Sequence, residues 1–130
     1  MRTLTLLALL VTSQFSHAIS ASEQECVTRT VYHEARSLPQ PHWIKVANVI
    51  YNRSKHFKTY HFGSRSPHLC DVVRSPQFTS NKKLDSKILE PKVYQQIRKV
   101  VQAGNWQTNN NILFFETKKG KMIYNNIWSK

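Results

Sequence analysis

Two helical stripes on either side of a proline pair constrain this chain more than any other feature. Val27, Thr30, Val31, Glu34 and Ala35 recur at steps of three and four, the period of one helix face. Trp43, Val46, Ala47 and Ile50 repeat the pattern. Between the stripes stands Leu38-Pro39-Gln40-Pro41. A residue before proline is pushed out of helical geometry, so the first helix ends near Arg36. Pro41 suits a first helical turn, where its missing N–H costs nothing. The spacing predicts helices over residues 23–36 and 41–56, packed as an αα-hairpin. Ser22 is the expected N-cap of the first, with Glu25 three residues on completing a capping box.

The rest of the chain is read against that hairpin. Residues 57–67 form a basic, aromatic, irregular loop. A short helix is expected over 68–74, with Asp71 as a candidate cap, and Ser75-Pro76 ends it. Another loop leads to a long helix over 86–103, with Ile88, Leu89, Val93, Ile97, Val100 and Val101 facing inward and Gly104-Asn105 as its stop. The period then changes to two. Residues 112–116 and 121–125 flank Lys118-Lys119-Gly120, a turn signal, and predict a β-hairpin. The fold class is α+β, mostly α: a small helical domain with a C-terminal β-hairpin.

Residues 1–20 stand apart from that domain. Arg2 begins a short positive start, Leu4 to Val11 is apolar, and Ser16-His17-Ala18 carries small residues at cleavage positions. The apolar run is too short to cross a membrane, which takes about 20 residues. We read a secretory signal peptide cleaved after Ala18 or Ser20. That leaves residues 21–130 as one secreted or periplasmic domain with no stable membrane span. Its net charge is close to the +12 of the whole chain, more than solubility requires. The charge favours an anionic partner, and export favours a wall polymer or membrane surface over nucleic acid. Cys26 and Cys70 are an even pair in an exported chain and suggest a disulfide, with two buried thiols as the alternative.

The chemistry centres on His33-Glu34-Ala35-Arg36. The stretch begins like the zinc-protease motif, which needs two histidines one helical turn apart. The position four after His33 is Ser37, and His42, His56, His61 and His68 lack ligand spacing. A zinc site is excluded on that pattern, and no cofactor is expected. Glu34 instead projects between Val27, Thr30 and Val31, while Arg29, His33 and Arg36 cover the opposite half of the helix. Apolar surroundings and the negative end of a helix both disfavour the carboxylate anion. A protonated carboxyl is what a general acid requires. In a small, basic, exported protein, such a glutamate points to glycosidic bond cleavage. The plainer alternative is a glutamate paired with a lysine or arginine at the core edge.

Together these motifs resemble the spore-cortex-lytic type of cell-wall hydrolase. Val31-Tyr32-His33-Glu34-Ala35-Arg36 is similar to that family's V-x-x-E-A-R signature, which carries the catalytic glutamate. Residues 46–53, VANVIYNR, are similar to its A-x-V-x-x-N-R helix. Leu69-Cys70-Asp71-Val72-Val73 followed by Gln77-Phe78-Thr79 resembles a third motif, and Ile112-Leu113-Phe114-Phe115 corresponds to its late strand. The resemblance spans roughly residues 24–125. It departs after Arg36, where the family has glycine and an acid and this chain has Ser37-Leu38-Pro39-Gln40. It departs again at Glu116, which stands where the family has histidine, and at residues 121–125, which reduce a longer pattern.

The resemblance implies a lysozyme/transglycosylase-like domain that cleaves the MurNAc–GlcNAc bond of peptidoglycan. Glu34 would be the general acid and base of a lytic transglycosylase. Asn52 and Gln77 are candidates for hydrogen bonds to sugar amides. For Asn52-Arg53 the alternative is a helix end tied to a backbone or acidic group. Phe78 and Tyr124 are candidates for stacking on sugar rings, with core packing as the alternative. Glu116 is a candidate second carboxylate. The expected partner is peptidoglycan, met by a monomer, with no nucleic acid. The competing expectation is a noncatalytic cationic protein that binds the wall or another polyanion.

Overall fold

The computed structural model describes residues 19–59, 62–76 and 78–125. The order of elements is α1 (Ala21–Ala35), α2 (Gln40–Lys55), α3 (Leu69–Arg74), a 3-10 helix (Thr79–Lys83), α4 (Pro91–Ala103), β1 (Phe114–Lys118) and β2 (Lys121–Asn125). The molecule is α+β and mostly α, as the sequence predicts. The expected signal peptide, residues 1–20, lies outside the described residues except for Ile19 and Ser20.

Those two positions correct one expectation. The N-cap of α1 is Ser20, not Ser22. Ser20 Oγ accepts from the Glu23 amide at 3.1 Å, and Glu23 Oε1 accepts from the Ser20 amide at 3.1 Å. Both serines offer an S-x-x-E pattern, and tertiary contact decides between them. Glu23 Oε2 also accepts from the buried amide of Leu69 at 3.0 Å, so one carboxylate caps α1 and ties it to the start of α3. Cleavage after Ala18 would leave this cap in place, whereas cleavage after Ser20 would remove it.

The core forms where α1, α2, α3 and α4 meet. Val27, Val31, Val46, Ala47, Ile50, Val73 and Ile97 have no solvent exposure. Trp43 closes the αα-hairpin by donating its indole N–H to the Ala35 carbonyl at 2.8 Å. A disulfide joins Cys26 of α1 to Cys70 of α3 across 44 residues. Glu25 joins α1 to α4, accepting from Arg29, Tyr94 and Arg98.

The last helix starts later than the periodicity suggests. Pro91 is its first residue and Glu90 holds non-helical φ/ψ before it, because the residue ahead of proline avoids helical geometry. Leu89 therefore lies outside the helix and is 74% exposed rather than inward. The helix ends at Gly104, whose φ of 77° is the left-handed conformation that favours glycine. Trp106 then turns back into the core and donates to the Val101 carbonyl at 2.9 Å. The short helix α3 is capped by His68, whose Nδ1 accepts from the Cys70 amide. Asp71, the expected cap, is held instead by Ser66 and Arg65.

The β-hairpin has the expected position. Phe115 pairs with Tyr124 and Lys118 with Lys121 in an antiparallel register. Lys119 and Gly120 both have positive φ, which a two-residue turn between right-twisted strands requires. The hairpin docks through Phe115 against Phe78 and through the Tyr124 hydroxyl, 2.8 Å from His42 Nδ1.

Candidate active site

A chain with 19 basic and 7 acidic residues has few carboxylates to spare. Glu23 and Glu25 are held by the contacts described above. Asp71 accepts from Ser66, Asp85 pairs with Arg74, and Glu90 pairs with Arg36 at 2.7 Å. That leaves Glu34 and Glu116. Among the described residues, neither carboxylate has a hydrogen bond or ion pair.

The two differ in setting. Glu34 lies in the last turn of α1 and is half-buried, beside the fully buried Thr30 and Val31. Its charge acts on Arg53, near the end of α2. Glu116 is exposed on β1, where it pairs with Ile123 across the hairpin.

Arg53 is only 4% exposed. Its Nε donates to the Leu113 carbonyl at 2.7 Å, which fixes the chain entering β1. The guanidinium carbon lies 4.5 Å from the Phe78 ring centroid, with Phe114 and Phe62 at 5.3 and 5.5 Å. Its Nη1 is buried without a hydrogen-bond partner. Burial lowers the Arg53 pKa to about 10, and the negative charge of Glu34 partly offsets that loss. A guanidinium enclosed by aromatic rings sits in low dielectric, where its field on a nearby carboxylate is screened less than at the surface. The local arrangement is thus a half-buried carboxylate with no hydrogen bond among the described residues, whose charge reaches a buried cation that has an N–H to spare.

The remaining candidates divide. Asn52 is buried, and its Nδ2 lies within hydrogen-bonding distance of Asn48 Oδ1, Asn110 Oδ1 and the Ile112 carbonyl. Together with Asn48, which donates to the carbonyls of Trp106 and Thr108, it laces α2 to the segment before β1. Asn52 thus holds the helix end in place. Phe78 is 1% exposed beneath Arg53 and Phe115, so no face of its ring is open to a sugar. Burial is favoured there because the ring serves as a wall for the guanidinium. Tyr124 is half-buried, stacked on His42 and beneath the ammonium of Lys45 at 5.2 Å. Burial pushes its hydroxyl up to about 12. Gln77 lies outside the described residues.

Asn48 and Trp106 were not singled out by sequence reasoning. Asn48 looks like a polar break in an apolar stripe, which is the signal that exposes it. Trp106 follows a helix stop and carries no periodicity.

A cavity of about 770 Å³ lies at the other end of α1, between Glu23, Tyr51, Lys55, Phe57 and His68. Glu34 lies eleven residues after Glu23 on the helix, roughly 16 Å along the axis. Volume does not make that cavity the acid site, because its one carboxylate is consumed in capping. No group of histidine, cysteine or acidic side chains among the described residues is arranged to hold a metal ion. Compared with protein-family models, with curated proteins and with solved structures, the chain gives no match.

Proposed function

We propose that this protein cleaves the MurNAc–GlcNAc bond of peptidoglycan as a lytic transglycosylase, with Glu34 as its one acid and base. The observation that carries the reading is the state of Glu34. It is the half-buried carboxylate without a hydrogen bond or ion pair among the described residues, and its charge acts on the buried Arg53. The V-x-x-E-A-R and N-R motifs that place these two residues supply the substrate class. The same reading takes the helical body for a lysozyme/transglycosylase-like domain acting as a monomer in a secreted or periplasmic setting. The Cys26–Cys70 disulfide suits an oxidising compartment.

In this mechanism the protonated Glu34 gives its proton to the glycosidic oxygen. The C1–O bond breaks, and its electron pair leaves with the departing GlcNAc hydroxyl. The positive field of Arg53 stabilises the carboxylate that forms. That carboxylate then takes the proton of the muramic C6 hydroxyl as the C6 oxygen bonds to C1. The products are a strand with a 1,6-anhydro end and a strand whose terminal GlcNAc carries a free hydroxyl, and Glu34 is protonated again. No water attacks, so a second carboxylate is not required, and the exposure of Glu116 is consistent with that.

Zymography on purified peptidoglycan tests the proposal. The wild type is expected to clear the gel, and Glu34→Gln to lose about 100-fold or more of the rate, the usual share of a general acid. Mass spectrometry of released muropeptides is expected to show anhydro ends. Reducing ends would indicate hydrolysis instead. Wild type that binds the wall but never cleaves it, at any pH or salt, would favour the second reading, a noncatalytic cationic wall-binding protein. The large positive charge supports that alternative.

A further inference from the structure

The residue before Glu34 faces elsewhere. Successive residues of a helix turn by about 100°, so His33 leaves α1 on a different side. It lines a recess of about 220 Å³ together with Tyr32, Arg36, Lys83, Ser86 and Lys87. Ligand pockets for whole small molecules usually begin near 300 Å³, so this recess suits a single functional group.

Its electrostatics are one-sided. Arg36 enters from α1 with its guanidinium 4.9 Å from the Tyr32 ring centroid. Lys83 comes from the 3-10 helix and Lys87 from the segment after it. Among the described residues, neither ammonium has an ion-pair or hydrogen-bond partner. Ser86 Oγ lies 3.4 Å from His33 Nε2. The acids nearby are already used: Glu90 pairs with Arg36, and Glu25 pairs with Arg29 at 2.9 Å. Burial lowers the His33 pKa first, and the charges of Arg36, Arg29 and Lys83 lower it further.

We propose that this recess is an oxyanion site that takes a phosphate group, either free or within a phosphodiester. A tetrahedral oxyanion accepts from donors that converge from several directions. Here these are the Arg36 guanidinium, the two ammonium groups and the imidazole. The Arg36–Glu90 pair is exposed and weak, and leaves further guanidinium N–H groups for a ligand. The site is independent of Glu34 and of any activity at Glu34.

The test is an NMR titration of the His33 ring protons in the full folded chain, without cell wall. Binding of an anion and protonation of His33 are linked, so each favours the other. Inorganic phosphate is expected to raise the His33 midpoint well beyond the effect of sodium chloride or acetate at matched ionic strength. Lys83→Ser and Lys87→Ser, both at exposed positions, are each expected to weaken phosphate binding by roughly two- to fivefold, while Lys92→Ser leaves it unchanged. A phosphodiester probe that binds as well as phosphate assigns the site to a polymer, whereas binding of phosphate alone assigns it to the free ion. An equal response to all salts, or a phosphate response that survives loss of both lysines, overturns the proposal.

Discussion

Glu23 and Glu34 are the same residue type on one helix, and their neighbours give them opposite roles. Glu23 accepts from the amides of Ser20 and Leu69, and those bonds outweigh the effect of burial and hold its carboxyl below the usual range. Glu34 has no such donors among the described residues. Replacing Ser20 with alanine is expected to cost about 1 kcal/mol, a typical cap contribution, measured by urea unfolding. Glu23→Ala should cost more, about 1–3 kcal/mol beyond the cap, because the Leu69 amide is left buried without an acceptor. Glu34→Gln should leave stability within about 0.5 kcal/mol of wild type while removing activity. If Glu34→Gln unfolds the protein, the carboxylate is structural and the catalytic assignment fails. Ser20 and Ser22 begin equivalent S-x-x-E patterns, so the choice of cap was not legible locally. It depends on Leu69, 46 residues from Glu23.

At the level of elements, the two helices and the hairpin were legible because each has a period and a stop. The start of α4 was misplaced at residue 86, because the apolar run through Ile88 and Leu89 masks the boundary that Pro91 sets. The hairpin turn carries a local conflict. Lys119 holds a φ of 53°, a conformation that costs a side-chain-bearing residue roughly 1–2 kcal/mol. Asparagine tolerates it better, so Lys119→Asn is expected to raise stability by up to about 1 kcal/mol. A lower thermal midpoint would mean that Lys119 makes a compensating contact. The asparagine ladder makes a second prediction at this scale. Asn52→Ala removes a donor shared by Asn110 and Ile112, and should destabilise by about 1–3 kcal/mol. If Asn52 met substrate instead, the variant would keep its stability and lose affinity.

Across the whole molecule, charge and cross-linking set the stability. The disulfide closes a loop of 44-residue separation and, in the chain-entropy account, contributes about 4 kcal/mol. Reduction is expected to lower the urea midpoint by a matching amount, and an unchanged midpoint would refute that contribution. Acid should unfold the protein in two stages. Burial and nearby cations lower the His33 pKa below 6.5, so below that pH the unfolded chain binds its proton first and stability begins to fall. Glu23, Glu25, Asp71 and Asp85 all have lowered pKa values. Their contribution is present above their ordinary values, 4.5 for Glu23 and Glu25 and 3.8 for Asp71 and Asp85, and is lost as pH falls through the folded values. Urea midpoints at a series of pH values check both stages, and a midpoint that rises between neutral pH and acid would contradict the signs.

The sequence by itself determined the helical hairpin, the late β-hairpin and the candidate disulfide. Periodicity, proline and glycine act over a few residues, and each of these features is local or set by one helix projection. Only the tertiary structure decided which acids are occupied, which serine caps α1, and that Phe78 is a wall of the Arg53 enclosure rather than an open ring. Those outcomes depend on groups dozens of residues apart, brought together by burial of a shared core. Glu34 is distinguished from Glu23 and Glu25 by having no donor among the described residues and a charge that acts on the buried Arg53.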